Sequence, residues 1–232
     1  MDELRQPVIK DYLVFPTRLT TLQFPDTSAM DAGLLDVFDG KVEYQDADYL
    51  ETSNNRNLLR FCDTVPAVAQ LRDLFLYGLR YWMAAEGIGG NYRSDMLMFP
   101  VYSLPGQFVP AHNHLAHVSA VYYVRTADFS NRDVVEYGGT AEYFRSEGGL
   151  LQLHDPRFNA LLMDLTKKDS IKILPRPGLM VLMPGYLWHS GTPNTSDFNR
   201  LCVVGDFIIH EPKAPGEKTY SFDVALPAEA VS

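Results

Sequence analysis

Hydrophobic positions along this chain change rhythm near residue 90. Before it, Val68, Leu71, Leu74, Phe75, Leu79 and Trp82 recur at three- and four-residue spacing, the period of one face of an α-helix. Pro66 suits a first-turn position, where its missing amide hydrogen costs nothing, and Gly87 suits a C-terminal stop, so a helix is predicted over 66–87. Upstream, residues 8–25 alternate loosely, are punctuated by Pro16 and Pro25, and read as an extended segment. Ala29 to Phe38 follow Thr27 and Ser28, either of which can cap a short helix that Gly40 would end. Residues 41–60 are polar and read as loop around Ser53 to Asn57.

After residue 90 the apolar runs shorten. Met96–Tyr102, Val118–Val124, Leu150–Leu153, Ile171–Leu174, Met180–Met183 and Leu201–Ile209 have the length and β-branched or aromatic content of strands. Pro105-Gly106, Gly138-Gly139, Gly148-Gly149, Pro175 to Gly178 and Pro184-Gly185 supply turns between most of them. Short strands with regular turn signals read as a β-sandwich or barrel, with one short helix near Phe158 to Leu165. The expectation is a single domain over 1–232. Residues 1–94 would form an N-terminal strand and helical support, 95–210 the β core, and 211–232 a C-terminal tail.

Composition narrows the function. The net charge is −9, the wrong sign for a passive nucleic-acid binder, which carries a basic footprint, or for a polybasic membrane anchor. Two cysteines, Cys62 and Cys202, exclude a disulfide scaffold and a cysteine-rich metal site. The Met1–Arg5 segment lacks the basic-then-apolar order of a signal peptide, and no apolar run approaches the roughly 20 residues that span a bilayer. A cytoplasmic location is expected. Oligomeric state is left open, with pairing of N-terminal strands across a homodimer one arrangement.

All six histidines fall in the β half. His112 and His114 are two apart, so on one strand they would face the same way and could grip one metal ion; alone, a His-x-His element is also an ordinary polar loop. His189 follows the Met180–Met183 strand after the Pro184-Gly185 turn, and alone would read as a hydrogen-bonded histidine. Arg200 opens the strand Leu201–Ile209. A guanidinium at the mouth of a buried strand is costly unless an anion meets it, and its fork matches a carboxylate; alone it would read as solvated or ion-paired.

Together these pieces carry a resemblance. Gly106, five residues, then His112-Asn113-His114 is a cupin-type signature, and Gly178, five residues, Pro184, then His189 approximates a second. The order His-x-His, distant His, Arg resembles the iron(II)/2-oxoglutarate-dependent oxygenases. Val118 to Val124, with Ser119-Ala120-Val121-Tyr122-Tyr123, and Gly148 to Arg157, with Asp155-Pro156-Arg157, are similar to a small subfamily of them. The likeness is best over 95–209 and departs at Ala120, where glycine is usual. It implies a mainly β fold with flanking helices: a double-stranded β-helix, or jelly roll, with N-terminal helices packed on its major sheet.

The resemblance further implies Fe(II) held by His112 and His189, and 2-oxoglutarate clamped by Arg200 and hydrogen-bonded by Tyr123 or Tyr122, whichever faces inward. The usual carboxylate ligand is replaced by His114. That leaves three readings of the third ligand: His114 itself, Asp155 swung in from the end of its strand, or water or another group. Arg157 would meet an anionic substrate, or pair structurally with Asp155, and Trp188 would line the substrate cavity or join the core. Ser190 and Asn194 lie close enough in sequence to support the site. The function implied is oxidation, by default hydroxylation, of a small molecule by dioxygen coupled to 2-oxoglutarate decarboxylation. Two alternatives stand beside it: a three-histidine cupin-type dioxygenase without 2-oxoglutarate, and a non-catalytic metal- or ligand-binding barrel.

Overall fold

The structure, a computed structural model, describes residues 17–39, 57–127, 129, 133–138, 149–155, 170–210 and 221–225. Among them two antiparallel sheets face each other. The major sheet has the order β1-β8-β4-β10-β2-β11 and the minor sheet β3-β9-β6-β7-β5. The strands are β1 Thr20–Gln23, β2 Asn91–Ser103, β3 Val109–His112, β4 Val118–Arg125, β5 Val135–Gly138, β6 Leu151–His154, β7 Ser170–Ile173, β8 Leu179–Pro184, β9 His189–Gly191, β10 Arg200–His210 and β11 Ser221–Ala225. Two helices, α1 Ser28–Asp39 and α2 Pro66–Ala85, and a 3-10 turn at Leu58–Phe61 complete the described elements.

Helix α2 forms as its spacing predicts. Pro66 occupies its first turn. Gly87 takes φ +72°, and the Ile88 and Gly87 amides donate to the Met83 and Ala84 carbonyls, closing the end in a Schellman motif that favours glycine. Helix α1 starts after Thr27, whose carbonyl accepts from the Asp31 amide while its hydroxyl donates to Asp31 Oδ2. Gly40 lies outside the described residues.

Both helices lie on the outer face of the major sheet, and alternation along its strands decides what they cover. In β4, Val118, Ala120, Tyr122 and Val124 pack in the helix-side core; in β10, Leu201, Val203 and Phe207 do so. The intervening Val121, Tyr123, Cys202 and Val204 join Val181 and Met183 in a second core between the sheets. Strands buried on both faces read as continuous apolar runs, which is why their existence was legible and their facing was not. Phe75 of α2 lies against Gly205, where a Cβ would come within 2.9 Å of its ring. It also meets Phe207 edge-on at 6.4 Å. Burying such a ring stabilises by about 1.5–3 kcal/mol.

The pattern left four short strands unread. β3, β5 and β9 have only three or four residues, too short for a period to show. β11 falls within 211–232, expected as a tail, and extends the major sheet by pairing with β2. Within 8–25 the described strand is β1, at the opposite edge on β8; residues 1–16 and the helix expected near Phe158 to Leu165 lie outside the described residues. Both cysteines are free thiols. Among the described residues, no helix is long and apolar enough to cross a membrane.

Candidate active site

Between the sheets, pairing of β3 with β9 sets His112 directly opposite His189. His114 reaches them differently from the expectation. β3 stops at His112, and His114 sits in the following loop, which is tied to the turn before β9: the His114 amide donates to the Gly185 carbonyl, and the Gly185 amide to the His117 carbonyl. The loop passes so near that a Cβ on Gly185 would lie 2.0 Å from the Ala116 carbonyl oxygen, so glycine is required by close approach.

The three imidazoles each offer one ring nitrogen, and these lie within 4.8 Å of one another. Their tautomers are set from behind. Nδ1–H of His112 donates to the Pro110 carbonyl at 2.7 Å, that of His189 to the Leu187 carbonyl at 2.9 Å, and that of His114 to Asp206 Oδ2 at 2.8 Å. A carbonyl oxygen only accepts, so the hydrogen is on Nδ1 and the lone pair on Nε2. The Nε2 atoms of His114 and His189 then face each other at 3.2 Å, lone pair to lone pair, an arrangement a cation relieves. Burial holds His189 neutral, its pKa lowered to about 3, with the neighbouring histidines adding to the effect; burial lowers His112 as well. Three imidazole nitrogens brought together in this way are a donor set that suits iron and other transition ions.

Arg200 lies on the same face of β10 as Cys202, Val204 and Asp206, since alternate residues share a face. It is 4% exposed. Its Nη1 donates to the Gly149 carbonyl at 2.6 Å and its Nη2 to Ser103 Oγ at 3.2 Å. Its Nε has no hydrogen-bond partner, and no carboxylate among the described residues pairs with it. Cβ atoms on Gly149 and Gly191 would come within 3.0 Å and 3.2 Å of its side chain. Two glycines therefore make room for the guanidinium, and a buried cation is stabilised when an opposite charge meets it. β9 links the two halves: His189 is at the histidine cluster, and Gly191, two residues on and on the same face, is against Arg200. Two residues of strand span about 7 Å, a separation that a five-carbon dicarboxylate bridges.

Alternation also separates the tyrosines. Tyr123 faces the space between the sheets, where burial keeps its phenol protonated and the Arg200 charge acts on it in the opposite sense. Tyr122 faces α1 and donates to Asp31 Oδ1 at 2.8 Å.

The remaining expectations divide. Asp155 is described but lies outside the histidine cluster. Arg157 lies outside the described residues. Trp188 is 39% exposed rather than in the core. Asn194 is a buried joint, donating to the Ser103 and Phe198 carbonyls, beneath the serine that holds Arg200. Ser190 meets His154 at 3.1 Å. His117 accepts from the Ile209 amide, and His210 meets Asp95; both are fastenings of β10. Sequence reasoning passed over Ser103, Gly149, Gly191, Ser119 and Asp206. Only Asp206 left a signal, as the single carboxylate inside the apolar run Leu201–Ile209.

Residues 97–206 match the family described as "Putative 2OG-Fe(II) oxygenase". No curated protein matches the chain by sequence. Among solved structures, AviO1 from Streptomyces viridochromogenes Tue57 is similar at 16% identity and TM-score 0.55, over 86% of this chain and 92% of that one. The non-heme alpha ketoglutarate dependent epimerase SnoN from nogalamycin biosynthesis is similar at 11% identity and TM-score 0.52, over 84% of this chain and 79% of that one. At these identities the likeness shows the fold alone: a jelly-roll core shared with structures of this kind.

Proposed function

We propose, from the match of residues 97–206 to the family described as "Putative 2OG-Fe(II) oxygenase", that the protein oxidises, by default hydroxylates, a small molecule. Fe(II) and 2-oxoglutarate are the family's cofactor and co-substrate, with dioxygen as oxidant. His112, His114 and His189 are the proposed metal ligands, each presenting Nε2 because Nδ1 is engaged behind it. Arg200 is the proposed partner of the distal carboxylate of 2-oxoglutarate, and Tyr123 the phenol beside it. Bound together, the metal and 2-oxoglutarate supply the oxidising chemistry. The protein's part is to hold the ligand geometry, neutralise the dicarboxylate and line a dry space with Val109, Leu151, Val181 and Met183.

The observation that supports this reading most is the unpartnered Nε of the buried Arg200, whose side chain lies against Gly191, two strand residues from His189. A dioxygenase that binds its substrate without 2-oxoglutarate has no use for that cation, and a structural arginine would have its carboxylate. The test is anaerobic titration of the Fe(II)-loaded protein with 2-oxoglutarate, watching for the weak visible charge-transfer band of the chelate, on wild type and on His189→Ala. The expected result is a band in wild type that is lost in the variant. Bound iron with no band would refute the 2-oxoglutarate reading and favour the three-histidine dioxygenase; no bound iron would refute both.

A further inference from the structure

The three histidines are not held alike. His112 and His189 are each fixed by a neutral carbonyl two residues back in their own strand or turn. His114 is fixed by a charge, the carboxylate of Asp206, from 92 residues away. That carboxylate is itself clamped, since Ser119, its partner in the β4–β10 register, donates from Oγ to Asp206 Oδ1 at 2.7 Å. The His114 and Asp206 side chains are both largely covered, with 10% and 16% of their surface exposed. A covered carboxylate inside an apolar strand costs stability unless it is hydrogen-bonded and paired, and here His114 and Ser119 supply the donors.

We infer that Asp206 is a positioning residue for the metal centre, and that the Ser119–Asp206–His114 chain returns to the site the negative charge that a carboxylate ligand would have carried. This rests on the proposed metal set. A carboxylate behind a ligating histidine fixes its tautomer and raises its donor strength. Charge counting gives the same conclusion. Three neutral imidazoles leave a divalent ion with both of its charges, whereas two imidazoles and a carboxylate leave one. Asp206 restores the second arrangement at one imidazole's remove, so that 2-oxoglutarate meets a site of the same total charge.

The experiment is Co(II) titration of the full chain, following affinity and the visible ligand-field spectrum, on wild type, Asp206→Asn, Ser119→Ala, His189→Ala, His114→Asp and the double variant His114→Asp/Asp206→Asn. Asparagine keeps an acceptor for His114 Nδ1–H but removes the charge. Asp206→Asn is expected to weaken Co(II) binding about 10- to 100-fold and to shift the spectrum while leaving thermal stability without metal unchanged. Ser119→Ala, which only frees the carboxylate, is expected to do less. In the His114→Asp background, where a carboxylate ligates directly, Asp206→Asn is expected to cost little, and this non-additivity is the signature of a charge relayed through His114. A merely structural Asp206 would lower stability and leave the spectrum alone. Unchanged affinity and spectrum in Asp206→Asn, with binding lost in His189→Ala, would overturn this inference alone. Binding unaffected by His189→Ala would overturn the metal set and this inference with it.

Discussion

Replacing Arg200 by methionine separates an anion clamp from a structural arginine, because the two roles predict different outcomes. The guanidinium makes two hydrogen bonds, to the Gly149 carbonyl and Ser103 Oγ, each worth about 1.5–3 kcal/mol for a charged donor. Against them stands the burial of a cation that is 4% exposed and has no carboxylate partner among the described residues, a penalty of several kcal/mol. The terms nearly cancel, so Arg200→Met is expected to change the stability of the ligand-free protein by less than about 2 kcal/mol. Binding behaves differently. Losing one partner of a buried, hydrogen-bonded charge pair costs about 2–5 kcal/mol, a Kd about 30- to several-thousand-fold weaker. The assay is thermal unfolding with Mn(II) in place of iron, with and without 2-oxoglutarate. At a hundredfold excess over Kd the ligand stabilises wild type by about 2.7 kcal/mol, a rise in Tm of about 5–10 °C for a chain of this size. The same concentration is expected to raise the variant by less than about 3 °C. A shift equal to wild type's would refute the clamp. A loss of about 3–5 kcal/mol in the ligand-free protein, as when a buried ion pair is broken, would refute the claim that Arg200 lacks a partner.

Two further perturbations test how the fold positions the site. Gly185→Ala places a Cβ where the Ala116 carbonyl already is; the expected cost is about 1–3 kcal/mol of stability from overpacking, with a loss of metal affinity as the His114 loop moves, and calorimetry showing wild-type metal binding would refute the link between turn and loop. The adjacent tyrosines are expected to part company. Tyr122→Phe, which leaves Asp31 Oδ1 without its donor, should lower stability by about 1–3 kcal/mol and leave 2-oxoglutarate binding intact, whereas Tyr123→Phe should weaken that binding and leave metal binding unchanged; the reverse pattern would refute the assigned facing.

Much of this protein was determined by local sequence. Helix α2 could be read with its ends, because an amphipathic period twenty residues long, a first-turn proline and a terminal glycine all agree. The six long or strongly apolar strands were legible as apolar runs between turn signals, and His112, His189 and Arg200 stood out because their residue types are costly inside an apolar barrel. What alternation could not say is which face of a strand buried on both sides looks inward. The tertiary structure decided that by laying α1 and α2 over one face of the major sheet, which sent Tyr122 to Asp31 and Tyr123 toward Arg200. It also decided how His114 enters. The sequence spacing suggested a shared strand with His112, but β3 ends at His112, and the loop is instead pinned to Gly185. The supporting groups were invisible for a related reason. Ser103, Gly149, Gly191 and Asp206 act through contacts across 9 to 97 residues of chain. Residue type and spacing report which chemistry a chain carries, whereas the partners that orient it exist only once the strands are paired.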